Sequence, residues 1–348
     1  MKKGADLSGG SAPFSLFCPN AFQFLFISLE VRVKYILRKT LILILTVFLI
    51  SVFTFIAFHI IPGDPASLIL GTTATEEQLE ALREELGTNR PLSEQYGSWI
   101  SGFVRGDFGS SIRYRMPVSE LIKGRLPVTL ALGLIALTMI LLLGIPLGIL
   151  AARKRGTWVE KVIHFLTILG ISVPNFFLCI VLMWIFGMVL HLFTPGQYIS
   201  YTKNAAGFLK SLVWPALSIA IPQTAILTKY IRTAMLEELG EDYVRTARGK
   251  GAGETWILYL HVLRNAIVAV VPLIGMIVAS VLSGSIIIEQ VYGIPGMGKL
   301  LIGAVTSRDF PLTQTLVIYI TVLIVVTNFL VDIAIQLIDP RIRLSGRN

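Results

Sequence analysis

Six apolar runs, at residues 35–61, 126–152, 162–190, 212–235, 266–288 and 314–338, constrain this chain more than any other feature of its sequence. Each exceeds the roughly 20 residues that a helix needs to cross the hydrocarbon core of a bilayer. The whole chain agrees with them: 54% of its residues are hydrophobic, 15% are charged, and the mean hydropathy is +0.74. Such a balance excludes an ordinary soluble domain. In lipid, every backbone N–H and C=O must be satisfied within the segment, which leaves helices or a closed barrel. A barrel would show alternating segments of about ten residues, and none occur. The expectation is an all-α, polytopic membrane protein with six transmembrane helices.

The formal charge of +9 raises the question of nucleic acid, and the placement of the cations answers it. Seventeen Lys and Arg fall on one set of connections: Arg32 to Lys39, Arg153 to Lys161, Lys229 to Arg264, and Arg341 to Arg347. The short loops of the opposite set hold four, Lys203, Lys210, Lys299 and Arg308. Residues 62–125 are left out, because long loops largely escape this bias. The asymmetry is a membrane orientation signal and not a nucleic-acid surface. It places both termini and the 236–264 connection in the cytoplasm, with membrane lipid as the surrounding partner.

Between the spans, the sequence offers smaller elements. Residues 1–32 form an N-terminal extension, polar and then apolar but interrupted by Pro13 and Pro19, and read as poorly ordered or interfacial. The six-span body is then 33–348. In the extracytoplasmic region 62–125, Thr75 and Gln78 are spaced as a capping box, Leu79, Leu82 and Leu86 share a face, and Gly87 supplies the stop. Tyr96, Trp99, Ile100 and Phe103 mark a second amphipathic helix, suited to packing on the outer ends of the spans or to docking a partner. Gly144, Gly148 and Ala152 recur every four residues, which suits close helix packing. Pro174 and Pro222 are candidate kinks along a pathway. The stretch 290–311 is dense in Gly and Pro and reads as a loop folding back toward the membrane, not as a seventh span. Cys18 and Cys179 imply no disulfide framework.

Catalytic chemistry is thinly represented. No HExxH or GxSxG occurs, and His59, His164, His191 and His261 lie on different elements. Gly293, Gly298 and Lys299 in "GIPGMGKLL" match a phosphate-binding P-loop until its last position, where Leu300 replaces the Ser or Thr that would hold Mg²⁺. No catalytic, cofactor or metal residue is therefore assigned. Asp332 is read as the clear acid within a span, able to pair with a nearby Lys or Arg. Glu289, at the edge of the fifth span, is expected to be solvated.

The most distinctive stretch is "EDYVRTARGKGAG", residues 241–253. From Met235 to Arg248, Leu236, Leu239, Tyr243 and Ala247 occupy one helix face, with acids and bases on the rest. Gly249, Gly251 and Gly253 would allow a sharp reversal, and a second helix near Glu254 would carry Trp256, Leu260 and Leu263 on one face. The mixed charge fits the groove of a protein partner better than lipid headgroups.

"YVRTARGKG" followed by "HVLRNA" resembles the EAA loop of the membrane subunits of ATP-binding-cassette importers, in the dipeptide, oligopeptide and nickel branch. The family pattern runs Glu-Ala-Ala, three residues, Gly. Here Arg245, Thr246 and Ala247 hold the first places and Gly251 the last, with a departure at the first two. "HIIPGDP", "GDFGSSI", "VYGIPGMGK", "RDFP" and "VDIAIQLIDPRIR" agree in the same order, so that the resemblance spans about 33–343.

The resemblance implies a type I importer permease (MetI-like) fold in a bacterial or archaeal plasma membrane. It further implies a homologous second permease subunit, two ATPase subunits that carry ATP and Mg²⁺, and an extracytoplasmic substrate-binding protein. Glu238, Asp242, Tyr243, Arg245, Thr246, Ala247, Lys250 and Gly251 would form the ATPase-coupling loop within 236–264. The cargo would be a dipeptide or oligopeptide, with nickel or glutathione as alternatives. A self-contained proton-coupled carrier would instead use Asp332 as its relay.

Overall fold

The computed structural model describes residues 21–60, 65–71 and 74–338. Every regular element among them is helical, apart from one isolated bridge between Ser110 and Pro117. In chain order they are α1 (Ala21–Ile60), α2 (Pro65–Leu70), α3 (Glu76–Leu86), α4 (Leu92–Arg105), α5 (Val118–Arg153), α6 (Trp158–Ser172), α7 (Asn175–Leu182), α8 (Ala205–Glu238), α9 (Asp242–Gly249), α10 (Glu254–Trp256), α11 (Leu263–Tyr292), α12 (Met297–Thr306) and α13 (Phe310–Ile338). Wide π-turns at Met183–Val189 and Ile257–Val262 extend α7 and join α10 to α11.

Five helices are long and apolar enough to cross a membrane: the Ile36–Ile60 part of α1, α5, α8, the continuous Glu254–Tyr292 rod, and α13. The third apolar run, 162–190, is not one straight crossing. It breaks between Ser172 and Asn175 into two arms bent by 105°. Pro174 is the cause: it lacks the N–H that would continue the ladder and drives Val173 into extended backbone, at φ −89° and ψ 123°. Pro222, by contrast, is buried inside an unbroken α8. Of the expected N-terminal extension, 1–20 lie outside the described residues, as do Cys18, Ile61–Asp64 of "HIIPGDP" and the cations beyond Pro340. The helix starts at Ala21, just after Pro19, and runs into the first span without a break.

The packing follows from small residues. Lipid supplies no hydrophobic drive between helices, so close backbone approach and shape decide which faces meet. A Cβ on Gly144 would stand 2.9 Å from Leu227, and one on Gly148 would stand 2.7 Å from Ile231, so α5 and α8 cross where the side chains vanish. Gly170 lets α6 approach Ala225 of α8, and Gly275 of α11 lies beneath Val331 of α13. The glycine stripe thus serves packing. Residues such as Leu41 and Phe53 on α1 and Phe165 on α6 remain exposed, as lipid-facing side chains should.

One pole of the bundle carries the 153–158 and 239–253 connections; the other carries 74–117, 190–204 and 293–309. At the latter pole, α3 has its capping box, Thr75 and Gln78 exchanging bonds of 3.0 and 3.4 Å, and ends at Gly87 with φ 70°. Helix α4 lies on the end of α1. Tyr96 bonds Ser51 Oγ at 2.8 Å, and both Tyr96 and Trp99 pack on Phe55, with centroids 5.4 and 5.8 Å away.

Candidate functional site

At the cation-rich pole, α8 runs on to Glu238, three residues past the expected end of the fourth span at Met235. The Met235–Arg248 helix is in fact two pieces, separated around Gly240, with α9 starting at Asp242. The expected face survives the break, since Leu236, Leu239, Tyr243 and Ala247 all pack against the core cluster of the bundle. Its centre is Val244, fully buried and unmarked by the spacing argument. The Tyr243 hydroxyl donates to Glu238 Oε2 at 2.6 Å, and burial, followed by that bond, pushes its pKa up to about 12. It is therefore a firm donor at neutral pH.

The reversal after α9 rests on Gly251 alone. Its φ is +83°, in the left-handed region that favours glycine, whereas Gly249 closes α9 and Gly253 sits at φ −68°. Arg248 clamps the turn through Nε and Nη2 to the two oxygens of Glu254, at 2.7 and 3.2 Å. Asp242, Arg245, Thr246 and Lys250 face outward. The Arg245–Asp242 pair, at 3.3 Å and almost wholly exposed, adds little stability.

Of the face expected for the following helix, only Leu263 packs against the core cluster. Ile257, Leu258 and Val262 are buried, while Trp256 and Leu260 are about half exposed. The π-turn explains this: its wider ring shifts the inward face away from a 3.6-residue period. The result is a short charged hairpin, stapled to the bundle by α9 and continuous with two long spans.

Asp332 lies elsewhere, bonded to Lys39 of α1 at 2.6 Å, and so ties α13 to α1. Nor is it the only acid within the helices. Glu160 of α6 receives Arg232 of α8 and the Gly156 N–H.

Glu289 corrects the expectation of solvation: its side chain is fully buried. One carboxylate oxygen accepts from Thr129 of α5 at 2.6 Å, and the other accepts the backbone N–H groups of Gly298 and Lys299 at 2.7 and 3.2 Å. Met297 N–H donates to Thr129 Oγ1. The "GIPGMGKLL" segment does open a helix whose first N–H groups hold an acidic group, and that group is the Glu289 side chain of the same chain. The expected loop 290–311 consequently contains a ten-residue helix, α12, anchored across to α5. Asp309 plays a similar part. Fully buried, it accepts from Ser111 Oγ and from the N–H groups of Ile112 and Arg113, joining "GDFGSSI" to "RDFP". Partners so distant in sequence leave no local signal of their meeting.

Two family models cover most of the chain. Residues 144–344 match the binding-protein-dependent transport system inner membrane component, and 32–133 match the N-terminal region of such membrane components. A chain of Brucella abortus (strain 2308), provisionally named as a peptide transport system permease, is 38% identical over 308 residues, spanning 88% of this chain and 98% of its own. The oligopeptide transport system permease protein AppB of Bacillus subtilis is 36% identical over 311 residues, 88% of this chain and 98% of its own. The glutathione transport system permease protein GsiC of Escherichia coli (strain K12) is 35% identical over 311 residues, 89% and 99% respectively. Among solved structures, a chain of the MetNI methionine ABC transporter in inward-facing conformations shares the fold, with a TM-score of 0.50 and 17% identity over 63% of this chain and 96% of its own.

The protein is therefore a multi-pass, all-helical membrane permease component. The chain belongs to the family of binding-protein-dependent transport system inner membrane components.

Proposed function

We propose that this chain is one permease half of an ATP-binding-cassette importer that carries small peptides across a bacterial or archaeal plasma membrane by alternating access. The hairpin pole faces the cytoplasm together with both termini. A sister permease stands alongside, two ATPase subunits with ATP and Mg²⁺ sit beneath, and a binding protein delivers cargo to the opposite pole. In this reading Glu238, Asp242, Tyr243, Arg245, Thr246, Ala247, Lys250 and Gly251 form the coupling element, which docks in a groove of one ATPase.

The observation that carries it is the build of the hairpin. Val244 is fully buried in the bundle while Asp242, Arg245 and Lys250 point away from it. A rigid element that touches both motor and spans can pass motion between them. The glutathione permease relative supports tripeptide-sized cargo as a second reading. The test is site-directed crosslinking in the assembled complex: a cysteine at Lys250 captures a nucleotide-hydrolysing subunit, and one at Glu76 does not. Peptide uptake that persists without any ATPase, with no crosslink at Lys250, would overturn the assignment.

A further inference from the structure

At the pole opposite the hairpin, a cavity of about 450 Å³ opens between the 113–125 segment, the end of α11 and the first turns of α12. Its lining includes Arg113, Arg125 and Lys299, beside Tyr114 and Gln290. The two guanidinium groups share one ring, at 5.6 and 5.7 Å from the Tyr114 centroid. Each cation is steadied by a single carbonyl: Arg113 by Gly303 at 3.3 Å, Arg125 by Leu121 at 3.2 Å, and Lys299 by Gly293 at 2.9 Å. Most of their donors are left over.

No ion pair joins any of the three to a carboxylate among the described residues. Glu289 and Asp309, whose carboxyl groups meet the backbone of Lys299 and Arg113, are turned inward to backbone N–H groups and hydroxyls. Three like charges gathered in a recess repel one another, and an anion reaching the recess relieves that repulsion. Arginine forks match the two oxygens of a carboxylate. The cavity also has the volume of a small-ligand pocket, where a flat patch would suit a protein surface instead.

We propose that this cavity is a carboxylate subsite, and that it takes the free C-terminal carboxylate of a small peptide as cargo enters the permease. The proposal rests on the reading of the chain as a peptide permease. Arg113 and Arg125 form the fork, and Lys299 supplies the third charge. The backbone bonds of Arg113 and Lys299 to Asp309 and Glu289 do not depend on these side chains, so the substitutions leave both buried anchors in place.

The experiment uses the complete transporter reconstituted with its binding protein and compares uptake of trialanine with uptake of trialanine amide. Any preference of the binding protein is common to all variants and cancels when each variant's acid-to-amide ratio is divided by that of wild type. Wild type favours the free acid. R113Q/R125Q should lower acid uptake about tenfold with amide uptake little changed, so that its acid-to-amide ratio falls about tenfold below that of wild type, with K299Q intermediate and R113K/R125K partly restoring the preference. Equal loss of both substrates, or an unchanged ratio, overturns the proposal. So does weaker docking of the loaded binding protein with the ratio intact, which would place an acidic side chain of that protein in the cavity. A wild type that carries neither peptide refutes the peptide reading and this inference with it; a wild type that carries them while the variants do not differ refutes the inference alone.

Discussion

Gly251 is the residue on which the hairpin turns. At φ +83°, a Cβ added to it would meet no atom within 4 Å, so space is free and only backbone conformation resists substitution. A β-branched residue there costs about 1–2 kcal/mol of local strain. Gly251→Val should therefore abolish most peptide uptake while leaving membrane insertion and expression intact, read by transport in parallel with membrane fractionation. Glu289 makes the contrasting case, where contact and not conformation decides. Its carboxylate accepts three donors in a fully buried setting, and hydrogen bonds to charged groups contribute about 1.5–3 kcal/mol. Glu289→Gln turns an amide donor toward one of those groups. The expected result is a drop of several degrees in thermal stability of the purified protein in detergent, larger than for an exposed change such as Glu94→Gln. Both residues were visible in the sequence, but only one kind of signal was readable. Glycines near a charged turn suggest a reversal, whereas an acid at a span edge looks the same whether water or a distant helix end satisfies it.

The contact between α5 and α8 shows how elements are matched. Gly148 faces Ile231 and the Thr228 carbonyl, at 2.7 and 3.0 Å from where a Cβ would sit. Gly148→Leu forces the two spans apart. Overpacking of this kind costs about 1–3 kcal/mol, and it should appear as a shift toward aggregate in size-exclusion chromatography, with Leu134→Ala on the exposed side of α5 as the neutral comparison. The four-residue spacing of the glycines announced a packing stripe without naming its partner. Prolines were less uniform. Pro174 broke its helix by 105°, while Pro222 sits within a continuous one, because a neighbouring bundle can hold a proline-bearing helix straight or let it bend. The π-turn at Ile257–Val262 has no sequence marker at all, and it turned Trp256 and Leu260 of the expected face outward while Leu263 kept its place on the core.

For the whole molecule, sidedness is the property that every functional statement depends on. In intact cells, a membrane-impermeant thiol reagent should label a cysteine placed at Glu76 and spare one at Lys250, with the pattern reversed in inside-out vesicles. Labelling of both from one face would contradict the orientation. What the sequence determined by itself was the class: the length of the apolar runs dictates helices in lipid, because unsatisfied backbone groups are costly there, while the placement of Lys and Arg supplies the orientation that the labelling experiment tests. Its local chemistry also announced the capping box at Thr75 and the charged turn at Gly251. Only the tertiary structure decided which distant groups satisfy one another, Glu289 with the start of α12, Asp309 with the 111–113 backbone and Lys39 with Asp332, and it alone gathered Arg113, Arg125 and Lys299 around one cavity. The physical reason is range. Propensity, capping and hydropathy act over a few neighbouring residues, whereas the pairing of buried charges depends on which helix ends the packed bundle brings within hydrogen-bonding distance.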